Sequence, residues 1–341
     1  MSRALQIGIF DDHELGGCII FEKGLKRNGF EVDRFDYRKI AAEKGVEAMN
    51  REAIGSSLGH DLVFIGKGEL LEPRTLAKMR GKGITTALWY GDIREKPEPW
   101  LIGILPEIDF FFMSSAGETL KQHFVEGRPR NAAFYFNPSD PELAEKYSVY
   151  PRGTKNLVLT ASDNPYASKE RIELIRYISE RKDAKIFGGA EALVKRPGLA
   201  KRLWNRLNKT KSARIRGADY VKAIKSARIG VGVNAYPGIE MYTSDRMSHY
   251  LTFGTFYMPW AFPGLEKLFR IGEEVVAFSN VEDLDVKVRY FLADAEARET
   301  IARNGQRRML EDYNTANMVG MMLDIMDKGR SDRYEWGTVL K

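Results

Sequence analysis

Cysteine is almost absent from this chain. The single residue, Cys18, excludes an intramolecular disulfide, and a reducing, cytoplasmic setting is the expectation. Histidine is scarce as well. Four scattered residues give no metal-ligand spacing with that one thiol. No apolar run is long enough to span a membrane, and the opening MSRALQIGIF runs straight into a strand pattern with no signal peptide expected. The GxGxxG fingerprint of a dinucleotide-binding turn is missing. Low-complexity segments and residue-level repeats are missing too. What is present suits a globular protein: 43% hydrophobic and 29% charged residues. A length of 341 residues exceeds one ordinary core and predicts two domains. A formal charge of +6 favours an acidic partner: nucleic acid, an anionic membrane surface or a phosphorylated ligand.

The pattern of apolar residues gives the fold class. ALQIGIFDD reads as a strand, CIIFEKGLKRNG as an amphipathic helix with a glycine stop, and FEVDRFDYR as a second strand. Residues 39–58 look helical. HDLVFIGKG, ITTALWYGDIR and IDFFFMSS follow as strands with helices between them, and NAAFYFNPSDPE ends the series. This alternation is the signature of an α/β fold with a doubly wound parallel sheet. From Asn137 to Lys155 periodicity is lost and turn formers collect, which predicts a domain boundary. NLVLTASD, AKIFGG, ARIRG and RIGVGVNA then restart the strand pattern, and EEVVAFSN reads as a further strand. The C-terminal ANMVGMMLDIMDKG is a Met-rich amphipathic helix whose Met321, Met322 and Met326 are packing residues.

In an open α/β sheet, ligands sit beyond the carboxyl ends of strands. Asp92 occupies such a place, with Asp11, Asp12 and His13 as rivals after the first strand; turn-capping aspartates are the plain alternative for them. Gly16 and Gly17 serve either a close backbone approach to a ligand or a tight turn. Thr243, Ser244 and Asp245 are helix N-cap types followed at once by Arg246, and a helix N-terminus with an adjacent arginine suits an anion. Between Lys195 and Arg216 basic residues crowd without an acid. Lys195, Arg196, Lys201, Arg202, Arg206, Lys209 and Lys211 form either a solvated face or a polyanion contact.

SDRMSHYLTFGTFYM, followed by the stretch from LEKLFRIGEEVVAFSN to IARNGQRRMLEDYN, resembles the C-terminal half of the spore-maturation-type GT-B glycosyltransferases. Arg246 and Gly254 match that family's R-x-x-E-x-x-x-x-G helix, and Ile301, Ala302, Asn304, Gly305, Arg308 and Leu310 match its IAxNGxxRxL element. HDLVFIGKGELLEPRTLAKMRGKGITTALWYGD is similar to its N-terminal half. YGDIR is fainter kin to the loop of phage DNA β-glucosyltransferases in which an aspartate acts as base.

The resemblance implies two Rossmann-like domains facing a central cleft. Residues 1–150 would form the acceptor domain and 151–325 the nucleotide-sugar domain, with a tail from 326 to 341 packing back on the first. It implies a hexosyl transfer from a nucleotide sugar, most commonly a UDP-sugar, with no tightly bound cofactor and no required divalent metal. The acceptor would be a hydroxyl, either on a hydroxymethylated base in double-stranded DNA or on a surface or metabolite glycan. Arg246 would stabilise the leaving diphosphate, with Ser162 and Arg171 as second candidates and Gly188 and Gly189 in a donor-side loop. One departure stands out. The family's helix carries Glu three residues after the arginine, to hold the donor ribose, and this chain has His249. Imidazole offers one acceptor nitrogen where a carboxylate offers two oxygens. His249 substitutes, or Glu240 reaches in from the preceding loop, or donor binding is altered. A non-catalytic binding protein of the same fold is the alternative, and a sugar-nucleotide epimerase a third.

Overall fold

The computed structural model describes residues 2–10, 14–163, 168–194 and 215–340. The chain forms two compact units. One comprises Met1–Pro138, Ile239–Thr243 and Tyr313–Lys341, the other Ser139–Gly238 and Ser244–Asp312.

The first unit holds six parallel strands: β1 Ser2–Gly8, β2 Phe30–Asp36, β3 Leu62–Gly66, β4 Thr85–Tyr90, β5 Phe110–Met113 and β6 Asn131–Phe134. Their order across the sheet is β2-β1-β3-β4-β5-β6. Strands covered on both faces need side chains that are apolar on both, and β3 is buried along its whole length. β2 lies at one edge and carries the charges of FEVDRFD, which discourage pairing with another chain. The opposite edge is covered from within. Leu340 N–H donates to Ala132 O at 2.7 Å, and Trp336 packs edge-on against Phe134 at 5.0 Å. Gly24 lets the helix Thr315–Lys328 close on the helix Gly17–Arg27, since a Cβ there would sit 2.4 Å from Val319 Cγ2. The chain thus returns to the first unit at Tyr313, ahead of the position 326 read from sequence.

The second unit has β7 Lys155–Thr160, β8 Ala184–Phe187, β9 Ala227–Gly232 and β10 Tyr257–Pro259, all parallel and ordered β10-β9-β7-β8. Leu157, Leu159, Ile229, Val231 and Met258 form its core with Leu174, Ile178 and Val288 from the covering helices.

Residues 39–58 are helical, as the sequence predicts, in two pieces, Tyr37–Lys44 and Val46–Ser57. Gly45 between them has φ 86, a left-handed value that no helix interior holds. EEVVAFSN is not a strand. Only the isolated bridges Ile271↔Val275 and Trp260↔Phe278 form there, because the neighbouring edge strand β10 is three residues long. In ARIRG, Ile215 and Arg216 are not in a strand, Gly217 begins the helix Gly217–Lys225, and Ala213 and Arg214 lie outside the described residues. Among the described residues no helix is long and apolar enough to cross a membrane.

Candidate functional site

In the second unit the candidate residues gather at one point, the end of β7. The turn there is Thr160-Ala161-Ser162, and each of its three carbonyls has a partner. Arg246, at the start of the helix Asp245–Thr252, donates through Nε to Thr160 O at 2.6 Å and through Nη1 to Val233 O at 2.9 Å. It therefore ties the carboxyl ends of β7 and β9 together. Ala161 O accepts from Ala190 N–H at 3.2 Å. Gly188 passes so near that a Cβ would lie 2.6 Å from the same oxygen, and its φ of 99 is a second reason for glycine. Ser162 bridges to Gly189, and its carbonyl accepts from Arg171 Nη2 at 2.7 Å. Arg171 is only 6% exposed, in the first turn of the helix Lys169–Glu180, where Ser168 Oγ accepts its backbone N–H. Arg246, Arg171, Ser162, Gly188 and Gly189 are thus brought together. An arginine–carbonyl bond is worth about 1.5–3 kcal/mol, so these side chains frame the turn as well as charge it.

Three tyrosines that the sequence reading missed surround this frame. Tyr220 comes from the helix Gly217–Lys225, Tyr250 from the helix of Arg246, and Tyr257 from β10. Burial pushes the Tyr220 and Tyr257 hydroxyls up to about 12, against the pull of the Arg246 charge, and Tyr250 higher still. All three stay neutral at any physiological pH. The Tyr250 and Tyr257 rings stack with centroids 5.1 Å apart. Glycines in β9 make room for them: a Cβ at Gly230 would sit 2.2 Å from Tyr250 Cδ1, and one at Gly232 2.1 Å from Tyr257 Oη. The alternating glycines of RIGVGVN were the available signal, since glycine inside a buried strand marks a close approach.

His249 is half-buried on the same helix, with Nδ1 3.4 Å from Tyr220 Oη and the two rings edge-on at 5.5 Å. Glu240 belongs to the first unit. Its carbonyl accepts from Ala116 N–H at 2.9 Å, and its carboxylate lies against Gly117, where the helix Gly117–Gly127 begins. A carboxylate is favoured at a helix N-terminus. On the helix of Arg246 the N-cap Ser244 makes no side-chain capping bond.

In the first unit, Asp92 stands two residues beyond β4 with its side chain 50% exposed, and its Oδ2 accepts from Lys67 Nζ. Lys67 was not picked out from sequence; its place in FIGKG, between glycines after a buried strand, was the signal. Gly17 begins its helix beneath Trp89, whose ring would be 3.3 Å from a Cβ at that position. Gly16 is the N-cap, and its carbonyl accepts from Ile19 N–H at 3.0 Å. Trp89 Nε1 donates to Ser114 Oγ at 3.3 Å, and that hydroxyl donates to Asn137 Oδ1 at 2.8 Å. Asp11, Asp12, His13 and the basic residues Lys195, Arg196, Lys201, Arg202, Arg206, Lys209 and Lys211 lie outside the described residues. A hollow of about 590 Å³ lies at the other, amino-terminal end of β4–β6, lined by Arg80, Glu107, Asp109 and Arg130; it holds none of the candidate residues. Among the described residues no group of three His, Cys, Asp or Glu side chains could hold a metal ion.

No curated protein matches the chain in sequence. Residues 171–324 match the family model described as glycosyl transferase-like. That segment contains Arg171, Gly188, Gly189, Arg246 and His249, and it leaves Asp92 outside. Among solved structures, HepE of Anabaena in complex with UDP-glucose is similar at 11% identity and a TM-score of 0.63, over 96% of this chain and 100% of that one. AviGT4, a glycosyltransferase of avilamycin A biosynthesis, is similar at 13% identity and a TM-score of 0.59 over 100% of both chains. Sucrose-phosphate synthase of Thermosynechococcus elongatus is similar at 14% identity and a TM-score of 0.58, over 96% of this chain and 99% of that one. The chain thus has the α/β fold of the GT-B glycosyltransferases, with a glycosyl transferase-like segment across its second unit.

Proposed function

We propose that this chain is a nucleotide-sugar-dependent glycosyltransferase that moves a hexose from a UDP-sugar to a hydroxyl acceptor. The enzyme class rests on the matched segment and the fold together. The observation that carries the finer reading is the gathering of Arg246, Arg171, Gly188 and Gly189 around the end of β7. Negative charge grows on the diphosphate as the glycosidic bond breaks. Stabilisation of that charge is supplied by the Arg246 guanidinium and the first-turn N–H groups of its helix. His249, held beside Tyr220, takes the ribose position. Asp92 accepts the acceptor's proton as the hydroxyl oxygen bonds to the anomeric carbon. The charge on the leaving group is met by protein groups, so neither a tightly bound cofactor nor a divalent ion enters this scheme.

Two acceptors stay within the proposal. A hydroxymethylated base in duplex DNA is favoured by the +6 charge, the basic run and YGDIR, and a surface or metabolite glycan by the wider family. Titration calorimetry with UDP and UDP-glucose tests the donor half. UDP release with hydroxymethylated duplex DNA or free sugars tests the acceptor half. Wild type is expected to bind UDP, and Asp92→Ala to keep that binding while losing turnover. Absence of any UDP binding by the wild type would sink the UDP-sugar reading.

A further inference from the structure

We infer that Lys67 is a positioning residue for Asp92, held in a strained turn so that its ammonium fixes that carboxylate. The inference rests on the reading of Asp92 as base. Three features of the Gly66-Lys67-Gly68 turn support it. First, Lys67 has φ 77, a left-handed value that crowds the Cβ of any residue but glycine. Asparagine or aspartate eases such a position with a local side-chain bond; lysine does not. Second, the flanking glycines are locked by packing. A Cβ at Gly66 would be 2.8 Å from Cys18 Sγ, and one at Gly68 2.8 Å from Ile65 Cγ2. Third, Lys67 N–H donates to Trp89 O at 3.2 Å, which fastens the turn to β4 three residues before Asp92. The strained residue then sends Nζ to Asp92 Oδ2. Strain of this kind persists where the surroundings over-determine it, and it collects at functional sites.

The consequence is geometric. Asp92 is half exposed and would otherwise turn among its rotamers. With Oδ2 engaged, Oδ1 is the oxygen offered to an acceptor hydroxyl. In the transfer step Oδ1 takes the hydroxyl proton, the hydroxyl oxygen bonds to the anomeric carbon, and the bond from that carbon to the diphosphate breaks with its electron pair.

The test compares Lys67→Gly, Lys67→Ala, Lys67→Arg and Asp92→Ala by scanning calorimetry and by UDP release. Lys67→Gly and Lys67→Ala both lack the ammonium, but glycine alone relaxes the backbone. Lys67→Gly is expected to melt several degrees above Lys67→Ala. Both should lose at least tenfold in kcat with KM for the donor unchanged, and Lys67→Arg should recover most of it. Equal melting of the glycine and alanine variants would remove the strain. A kcat within twofold of wild type in Lys67→Ala, with Asp92→Ala inactive, would overturn the positioning role. Full turnover in Asp92→Ala would remove the base reading itself, and this inference with it.

Discussion

Around the end of β7 two arginines donate to backbone carbonyls, whereas beyond β3 and β4 a lysine donates to a carboxylate that is half open to water. The partners differ in charge, and that decides what each region can do. A carbonyl is neutral, so it orients a guanidinium without cancelling it. The β7 turn keeps positive charge, which in the proposed function meets the leaving diphosphate. A carboxylate cancels an ammonium, so the Lys67–Asp92 pair is close to neutral as a unit, and in the proposed function its second carboxylate oxygen takes the acceptor's proton. The packing differs in degree. A Cβ would fall 2.1 and 2.2 Å from tyrosine atoms at Gly232 and Gly230 of the second unit, and a still tight 3.3 Å from the Trp89 ring at Gly17 of the first.

The comparison can be broken most sharply at Asp92. Asp92→Ala is expected to lower kcat by about 10²–10⁴-fold, the usual worth of a general base. Its unfolding midpoint should hardly move, since exposed substitutions stay within about 0.5 kcal/mol. A large stability loss with intact turnover would reverse the roles of the two regions. Arg246→Met is expected to do both kinds of damage, costing about 1.5–3 kcal/mol for each lost carbonyl bond in urea unfolding and weakening UDP in calorimetry. Gly232→Ala should destabilise by about 1–3 kcal/mol through overpacking against Tyr257, and Gly17→Ala by clearly less. Equal costs for the two glycines would erase the packing contrast.

His249→Glu restores a two-oxygen acceptor, and a several-fold gain in UDP affinity is expected from titration. No gain would show that the Tyr220–His249 contact, rather than the ribose, sets that position. The smallest effect concerns acid. Arg181 hydrogen bonds hold the Asp183 carboxyl below the usual carboxylate range, with burial opposing them and Asn156 assisting. A group depressed in the folded state adds stability above its unfolded pKa and loses it as pH falls through the folded one. Arg181→Met should therefore flatten the acid limb of a urea-midpoint profile, by less than about 1 kcal/mol given the exposure of the pair.

Much of the fold was legible because buried parallel strands are written as continuous apolar runs. LVFIG, ITTALWY and NLVLT declare themselves that way. EEVVAFSN has the same look and forms only single bridges, because its apolar residues are needed by the core while its backbone has no long neighbour to pair with. The site was legible by residue type but not by partner. Arg246 and Asp92 were picked out by position at a helix start and a strand end. That Arg246 would spend two nitrogens on Thr160 O and Val233 O depends on residues 86 and 13 positions away. Glu240 was offered to the ribose position; its segment folds with the first unit, with the carboxylate against Gly117, a placement that depends on contacts far away in the chain.

The sequence by itself determined the two α/β units, the strands with their carboxyl ends, and which residue types stand there. Those follow from local periodicity and from the steric limits on glycine and the helix cap. Only the tertiary structure decided that Arg171, Arg246, Gly188 and Gly189 converge on one three-residue turn, and that Lys67 reaches Asp92. Such meetings are fixed by strand order and crossover geometry, which bring together residues far apart in the chain and leave no mark in their neighbourhoods.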